Sequence, residues 1–364
     1  MSDNYLALTS LYAFIVALAL TFAATPLVKR LAIRIKAVDV PRDNRRMHKV
    51  PIPRMGGLAI FAGFLVSSLL FIPLGREFRA ILLGALLLVV LGIIDDIVAL
   101  KAQVKFVGQI VAALIPALSG VSIHGFVNPF QHAHYIALGV LSIPVTVLWI
   151  VGITNAVNFI DGLDGLACGV STIATVTMFI IAVLFGESSV AFTMAALAGA
   201  CLGFLPYNMN PAKIFMGDTG SMFLGYLLAV TSIQGLFKFY AVISFAVPFI
   251  ILGLPIFDTG FAIVRRLLKG QSPLQADRGH VHHRLIDLGF DQKQSVAILY
   301  AFSAVMGLTA VLLASTHESR LIFFAIAVLV CFFLAMSLMR FGRNRHKPAE
   351  DECAAAEKKE EDPS

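Results

Sequence analysis

Five carboxylates stand where apolar runs end. Asp95 and Asp96 close one run, Asp161 and Asp164 sit in NAVNFIDGLDGLA starting at Asn155, and Asp218 opens another within Gly217-Asp218-Thr219-Gly220-Ser221. An acid in or beside a bilayer is costly, and such residues are functional candidates by default. Each one alone could be a helix cap or a solvated loop residue. Three clusters at helix ends that converge on one face point instead to a shared site. Hard oxygen ligands in that number suit Mg²⁺, which binds one or two carboxylates and completes its shell with water and substrate phosphates. Mn²⁺ is the expected substitute.

The glycines of the Asp161 run permit a tight turn and a close approach of backbone to ligand. A calcium loop is excluded, because the twelfth position from Asp161 is Thr172 where a bidentate Glu is required. The Gly217-to-Ser221 run lies where a helix should begin, so its amides could hold an anion while Asp218 holds a metal; simple capping is the alternative. His280, His282 and His283 lie beside Arg278 and Arg284. No cysteine is near and the arginines would repel a cation, which disfavours zinc. Donors to phosphate or sugar oxygens fit these residues better, with a plain polar loop as the alternative. Asp258, shortly before Arg265 and Arg266, either pairs with a base or lines the site.

The elements that must position these groups are membrane helices. The chain has 364 residues, 58% hydrophobic and 14% charged, with mean hydropathy +0.86, outside the range of soluble globular domains. Apolar stretches of about 20 residues, the length that spans a bilayer, fall near 6–28, 56–74, 80–96, 104–119, 136–154, 166–185, 190–206, 219–236, 241–264, 295–314 and 320–339. The fold class is therefore an all-α polytopic membrane protein with about eleven transmembrane helices. The first stretch has no basic start and no Ala-x-Ala site, so it is a retained helix. If the 29–54 loop is cytoplasmic, alternate connections carry twenty-four of the twenty-eight Lys and Arg. Positive charge favours the cytoplasmic side. The N-terminus is then outside, the C-terminus cytoplasmic, and the five acids lie at the cytoplasmic face. Residues 1–340 form the transmembrane domain, and 341–364, with its alternating charge runs, is a disordered cytoplasmic tail. The cysteines have no paired or metal-type spacing, and no nucleic-acid partner is expected.

Pro53-Arg-Met-Gly-Gly57, Gly92-Ile-Ile-Asp-Asp96, the Asn155 run, Phe215-Met-Gly-Asp-Thr-Gly-Ser221 and the histidine loop occur together in this order. The chain thereby resembles the polyprenyl-phosphate N-acetylhexosamine-1-phosphate transferase family over about 41–294. Ala99 and the interrupted His280-Val-His-His283 stand where the pentapeptide-transferring branch usually has Lys and three consecutive histidines. Both departures favour the branch that loads N-acetylglucosamine-1-phosphate from UDP-N-acetylglucosamine onto undecaprenyl phosphate, starting a teichoic acid, O-antigen or related polymer in the bacterial cytoplasmic membrane. The resemblance implies Asp218 as a magnesium ligand with Asn158 as a second. It implies Phe215 stacking on uracil, Asp164 bonding the base, Lys105 contacting the pyrophosphate, and Asp95 and Asp96 activating the lipid phosphate. It further implies that His280, His282 and His283 help bind the sugar nucleotide, and that the enzyme dimerises. Asp161 is grouped with the catalytic acids, and Asn155, Arg278 and Arg284 with the substrate contacts. The alternatives are phospho-N-acetylmuramoyl-pentapeptide transfer and, from another class, a transporter or flippase, which would place acids near the midplane within inverted repeats.

Overall fold

The computed structural model describes residues 3–40, 50–127, 135–235, 242–268, 270 and 279–315. In chain order the elements are α1 (Asp3–Arg34), β1 (Val38–Asp39), β2 (Ile52–Pro53), α2 (Gly57–Phe71), α3 (Arg76–Val98), α4 (Ala102–Leu118), β3 (Gly125–Val127) and β4 (Tyr135–Ala137). After a 3₁₀ turn at Gly139–Leu141 come α5 (Ser142–Phe159), α6 (Leu166–Leu184), α7 (Ser188–Asn208), α8 (Gly217–Gly235), α9 (Val242–Ile251), α10 (Gly253–Leu268), α11 (Val281–Asp287) and α12 (Gln292–Ser315). Each pair of short strands forms an antiparallel ladder, Val38 opposite Pro53 and Gly125 opposite Ala137.

Among the described residues six helices are long and apolar enough to cross a membrane: α1, α3, α6, α7, α12, and α5 together with its leading turn. Helices α2 and α4 are shorter and apolar. Helix α8 is too polar to join the six, yet every residue from Thr219 to Gly235 is buried. It packs against α2, α3, α5, α6 and α7 and forms the central post, so its surroundings are protein rather than lipid. Two close crossings set its position. A Cβ on Gly57 would collide with the backbone of Gly220, and one on Gly92 with the backbone of Thr219. Small residues let helix backbones meet at such points. They bring the start of α2 and the end of α3 onto the first turn of α8.

One expected span is corrected. The 241–264 stretch is two helices, α9 and α10, interrupted at Leu252. Pro255 has no N–H for the carbonyl of Ile251, and Gly253 adds freedom at the same place. Helix α10 is amphipathic: Phe257, Phe261, Val264, Leu267 and Leu268 are exposed while Asp258, Ala262 and Arg266 are buried. The expected span at 320–339 and the tail at 341–364 lie outside the described residues.

Candidate functional site

A cleft of about 910 Å³ opens where α1, α5 and α7 end and α8 begins, with α11 and α12 adding His283 and Gln292. Asp95, Asp96 and Lys105 stand beside it rather than in its lining. Asn158, Asp161, Asp164, Phe215, Asp218 and His283 line it. Lys29 of α1 also contributes to the lining, as does the β1–β2 region with Asp39 and Arg54. Its position is fixed by backbone bonds: Phe215 donates its N–H to Pro53 O at 2.8 Å, Gly56 to Phe215 O at 2.9 Å, and Gly57 to Met216 O at 2.8 Å. The Pro53-to-Gly57 and Phe215-to-Ser221 motifs are thus two sides of one seam.

The charged centre is assembled from four helices. The Lys105 ammonium donates to Asp218 Oδ2 at 2.7 Å and to Asp95 Oδ2 at 3.1 Å. Asp95 Oδ1 also accepts the Leu100 N–H at 2.7 Å, which fixes the carboxylate at the end of α3. Asn158 Nδ2 donates to Asp218 Oδ1 at 2.5 Å and to Ser221 Oγ at 2.7 Å. The side chains of Lys105 and Asp218 are each 23% exposed whereas Asp95 is 8% exposed, so Asp218 is the acid that faces the cleft and Asp95 stands behind the lysine.

Asp96 does something different from its neighbour. Its Oδ1 accepts the Asp218 N–H at 3.0 Å, and its Oδ2 accepts both the N–H and the hydroxyl of Thr219, at 3.2 and 2.6 Å. It therefore caps α8 from another helix, satisfying amides that have no partner within α8. Gly217 makes room for this: its φ is +72°, and a Cβ there would strike the Asp96 carboxylate.

The Asn158–Gly165 turn forms the floor. Asp164 Oδ2 accepts from Asn210 Nδ2 and from the Ala212 N–H, both at 3.0 Å. Asn210 also donates to Gln292 Oε1 at 2.8 Å, and the Tyr300 hydroxyl donates to Gly165 O at 2.6 Å, so α12 braces the turn from below. Asp161 is only partly buried, and its carboxyl is pushed up to about 7. Desolvation is the largest cause, followed by the negative charges of Asp218 and Asp96 against the pull of Arg54.

Other predicted residues are placed elsewhere. Asn155 is not on the cleft wall; it exchanges bonds with Gln109, at 2.6 and 3.3 Å, and donates to Val151 O. Of the three histidines only His283 lines the cleft, while His280 and His282 are buried behind it. Arg284 is exposed and off the cleft, and Arg278 lies outside the described residues. Arg54, paired with Asp39 at 3.4 Å, and the Asn210–Gln292 link are site features that sequence reasoning missed. Arg54 lay within a recognised motif, but Gln292 carried no local signal.

Among the described residues no three His, Cys, Asp or Glu side chains are grouped to hold a metal by themselves. Asp218, Asn158 and Ser221 nevertheless form an oxygen-rich corner that could share a hard divalent cation with phosphate oxygens, provided the Asn158 amide turns its oxygen inward.

The family model for glycosyl transferase family 4 matches residues 78–236. The chain is 45% identical to the "Probable undecaprenyl-phosphate N-acetylglucosaminyl 1-phosphate transferase" of Bacillus subtilis (strain 168), over 88% of this chain and 89% of that one. It belongs to the polyprenyl-phosphate N-acetylhexosamine-1-phosphate transferase family. Two further members are more distant. The decaprenyl-phosphate N-acetylglucosaminephosphotransferase of Mycolicibacterium smegmatis (strain ATCC 700084 / mc(2)155) is 38% identical, over 84% of this chain and 81% of that one. The phospho-N-acetylmuramoyl-pentapeptide-transferase of Staphylococcus aureus (strain MSSA476) is 31% identical, over 81% of this chain and 96% of that one. This transferase is accordingly a multi-pass membrane protein.

Proposed function

We propose that this transferase moves N-acetylglucosamine-1-phosphate from UDP-N-acetylglucosamine to undecaprenyl phosphate, releasing UMP, as the first membrane step of a cell-envelope polysaccharide. The observation that carries this reading is the Asp95–Lys105–Asp218 chain, whose Asp218 lines a nucleotide-sized cleft. It sets one cation between two acids where a diphosphate and a phosphate must meet. The greater identity to the N-acetylglucosamine relatives than to the pentapeptide enzyme supports the choice of donor.

An oxygen of the acceptor phosphate attacks the β-phosphorus of the donor. The bond from that phosphorus to the bridging oxygen breaks, and UMP leaves with the bridging oxygen and its electron pair. One phosphoanhydride replaces another, so the exchange is near thermoneutral. Phosphoryl transfer depends mostly on positioning and charge neutralisation. Lys105 is placed to neutralise the diphosphate, held by Asp95. Asp96 fixes Asp218 through the start of α8, Phe215 offers a ring to stack on the base, and Asp164 offers a carboxylate held by Asn210. His283, on the cleft wall, is the residue assigned to the sugar. Asp218 and Asn158 would hold Mg²⁺, which when bound supplies further neutralisation of phosphate charge. The acceptor's second pKa is about 6, so it is largely dianionic near neutrality and needs little help from a general base.

The twenty-four Lys and Arg of one set of connections include Lys29, Arg54 and Lys213 on the cleft. By the positive-inside rule this supports a cytoplasmic site in the bacterial inner membrane, where a water-soluble donor meets a lipid phosphate at the interface.

The test uses detergent-purified protein, undecaprenyl phosphate and Mg²⁺, following UMP release and lipid-linked sugar. UDP-N-acetylglucosamine and UDP-N-acetylmuramoyl-pentapeptide are offered in parallel, with Asp218→Ala as control. Turnover of the first alone, lost in the control, is expected. Turnover of the second alone would move the chain to the pentapeptide branch.

A further inference from the structure

Asp258 is 3% exposed and does not line the cleft, yet both its oxygens are committed to the histidine segment. Oδ1 accepts the Val281 N–H at 2.7 Å, and Oδ2 lies 2.9 Å from His280 Nδ1. His280 is the cap position of α11, and its own side chain makes no cap bond there. Asp258 supplies that acceptor from α10. Seven residues further along α10, on the same face, Arg265 donates to Gly279 O at 2.8 Å. A Cβ on Gly279 would occupy the place of the Arg265 guanidinium and push it aside. Helix α10 therefore grips Gly279, His280 and Val281 in succession.

The grip is transmitted by ring contacts. His280 and His282 stack with centroids 5.7 Å apart and planes 6° apart. His282 in turn packs against Gly162 so closely that a Cβ there would collide with its imidazole. His282 and His283 centroids are 4.3 Å apart, and His283 is on the cleft wall. The His282 pKa is pushed down to about 3, chiefly by burial and then by His283, so this ring is a neutral spacer. The Val281 that interrupts the histidines contributes its backbone amide to the latch.

We propose that Asp258 and Arg265 are positioning residues for the nucleotide-sugar site: α10 latches the Gly279–Val281 turn, and the stacked rings of His280 and His282 carry that placement to the Gly162 turn and to His283. An acid on Nδ1 also fixes which ring nitrogen of His280 carries the proton. The proposal deepens the N-acetylglucosamine transferase reading and rests on it for the identity of the substrate.

Asp258→Asn keeps an acceptor for Val281 but offers an NH₂ group to His280 Nδ1. The KM for UDP-N-acetylglucosamine should rise roughly tenfold, the loss expected for one buried charge-assisted hydrogen bond. The kcat and the KM for undecaprenyl phosphate should change little, and Arg265→Gln should show the same split. In a His280→Asn background, Asp258→Asn should add almost nothing, because the two act as one unit. An unchanged donor KM, equal losses for both substrates, or full additivity would overturn the proposal. Hydrogen exchange gives a reading that needs no substrate: Asp258→Ala should speed exchange over 279–287 and leave α5 to α8 protected. Unaltered protection would overturn the latch even if the enzyme is active. Failure of the wild type to use UDP-N-acetylglucosamine would instead sink the functional reading, with exchange still deciding the latch.

Discussion

Asp96 holds Thr219 by both its amide and its hydroxyl, and through that bond one acid at the end of α3 sets the first turn of the helix that carries Asp218. Removing an N-cap acceptor costs about 0.5–2 kcal/mol. Asp96→Ala should therefore lower the thermal midpoint of the detergent-solubilised protein. Displacing Asp218 by about 1 Å should also lower turnover by about 10²-fold, because reaction geometry is that sensitive. Asp96→Asn keeps one acceptor and should recover stability more than activity. Full activity in a folded Asp96→Ala protein would remove Asp96 from the positioning of Asp218.

Lys105 bridges Asp218 and Asp95 at 2.7 and 3.1 Å. Lys105→Met preserves length without charge, leaving two acids side by side and no protein cation between them. Losing a preorganised charge of this kind costs about 10²–10³-fold in kcat, which a UMP-release assay at saturating substrates would measure. Lys105→Arg restores the charge but spreads it over a planar fork that does not match a point contact with two acids. It should recover only part of the loss. Near-normal turnover by folded Lys105→Met would refute this role.

How much of this could be read in the sequence differs from element to element. Helices α1, α3, α5, α6, α7 and α12 are apolar over a bilayer-spanning length, so their composition declares them, although α6 and α7 are mostly buried in protein. Helix α8 carries Asp218, Thr231, Ser232 and Gln234 in and beside the apolar stretch at 219–236, and its burial by five neighbours explains how it tolerates them. The break between α9 and α10 was hidden by the unbroken apolar run, although Gly253 and Pro255 stood in it. In the site, acids next to apolar runs were conspicuous, and most of them do meet at one cleft. Their division of labour was not legible. Asp95 and Asp96 are adjacent in sequence, but one pairs with Lys105 and the other caps α8, and that follows from which way each points at the end of α3. The same holds for His280, His282 and His283, whose partners Asp258 and Gly162 come from distant elements. Asn155, grouped by sequence with the substrate contacts, is instead one half of an amide pair with Gln109.

Asp161 gives the pH dependence. Its carboxyl lies on the cleft among Asp218, Asp96 and Asp164, and desolvation first, then these charges, raise it from 3.8 to about 7 despite Arg54. Between those values the folded protein keeps a proton that the unfolded chain has released. The associated stability is thus fully present below 3.8 and is lost as pH rises through about 7. Asp161→Asn is neutral throughout and removes this slope. In EDTA and without substrate, the wild-type thermal midpoint should fall relative to that of the variant between about pH 5 and about pH 8. The same ionisation adds a negative charge to a cleft that must admit a diphosphate. The wild-type KM for UDP-N-acetylglucosamine should therefore climb as pH passes through about 7, while that of Asp161→Asn stays flatter. Parallel stability curves and parallel KM profiles for the two proteins would show that Asp161 is already ionised at the lower pH, and that the negative charge around it does not govern its proton.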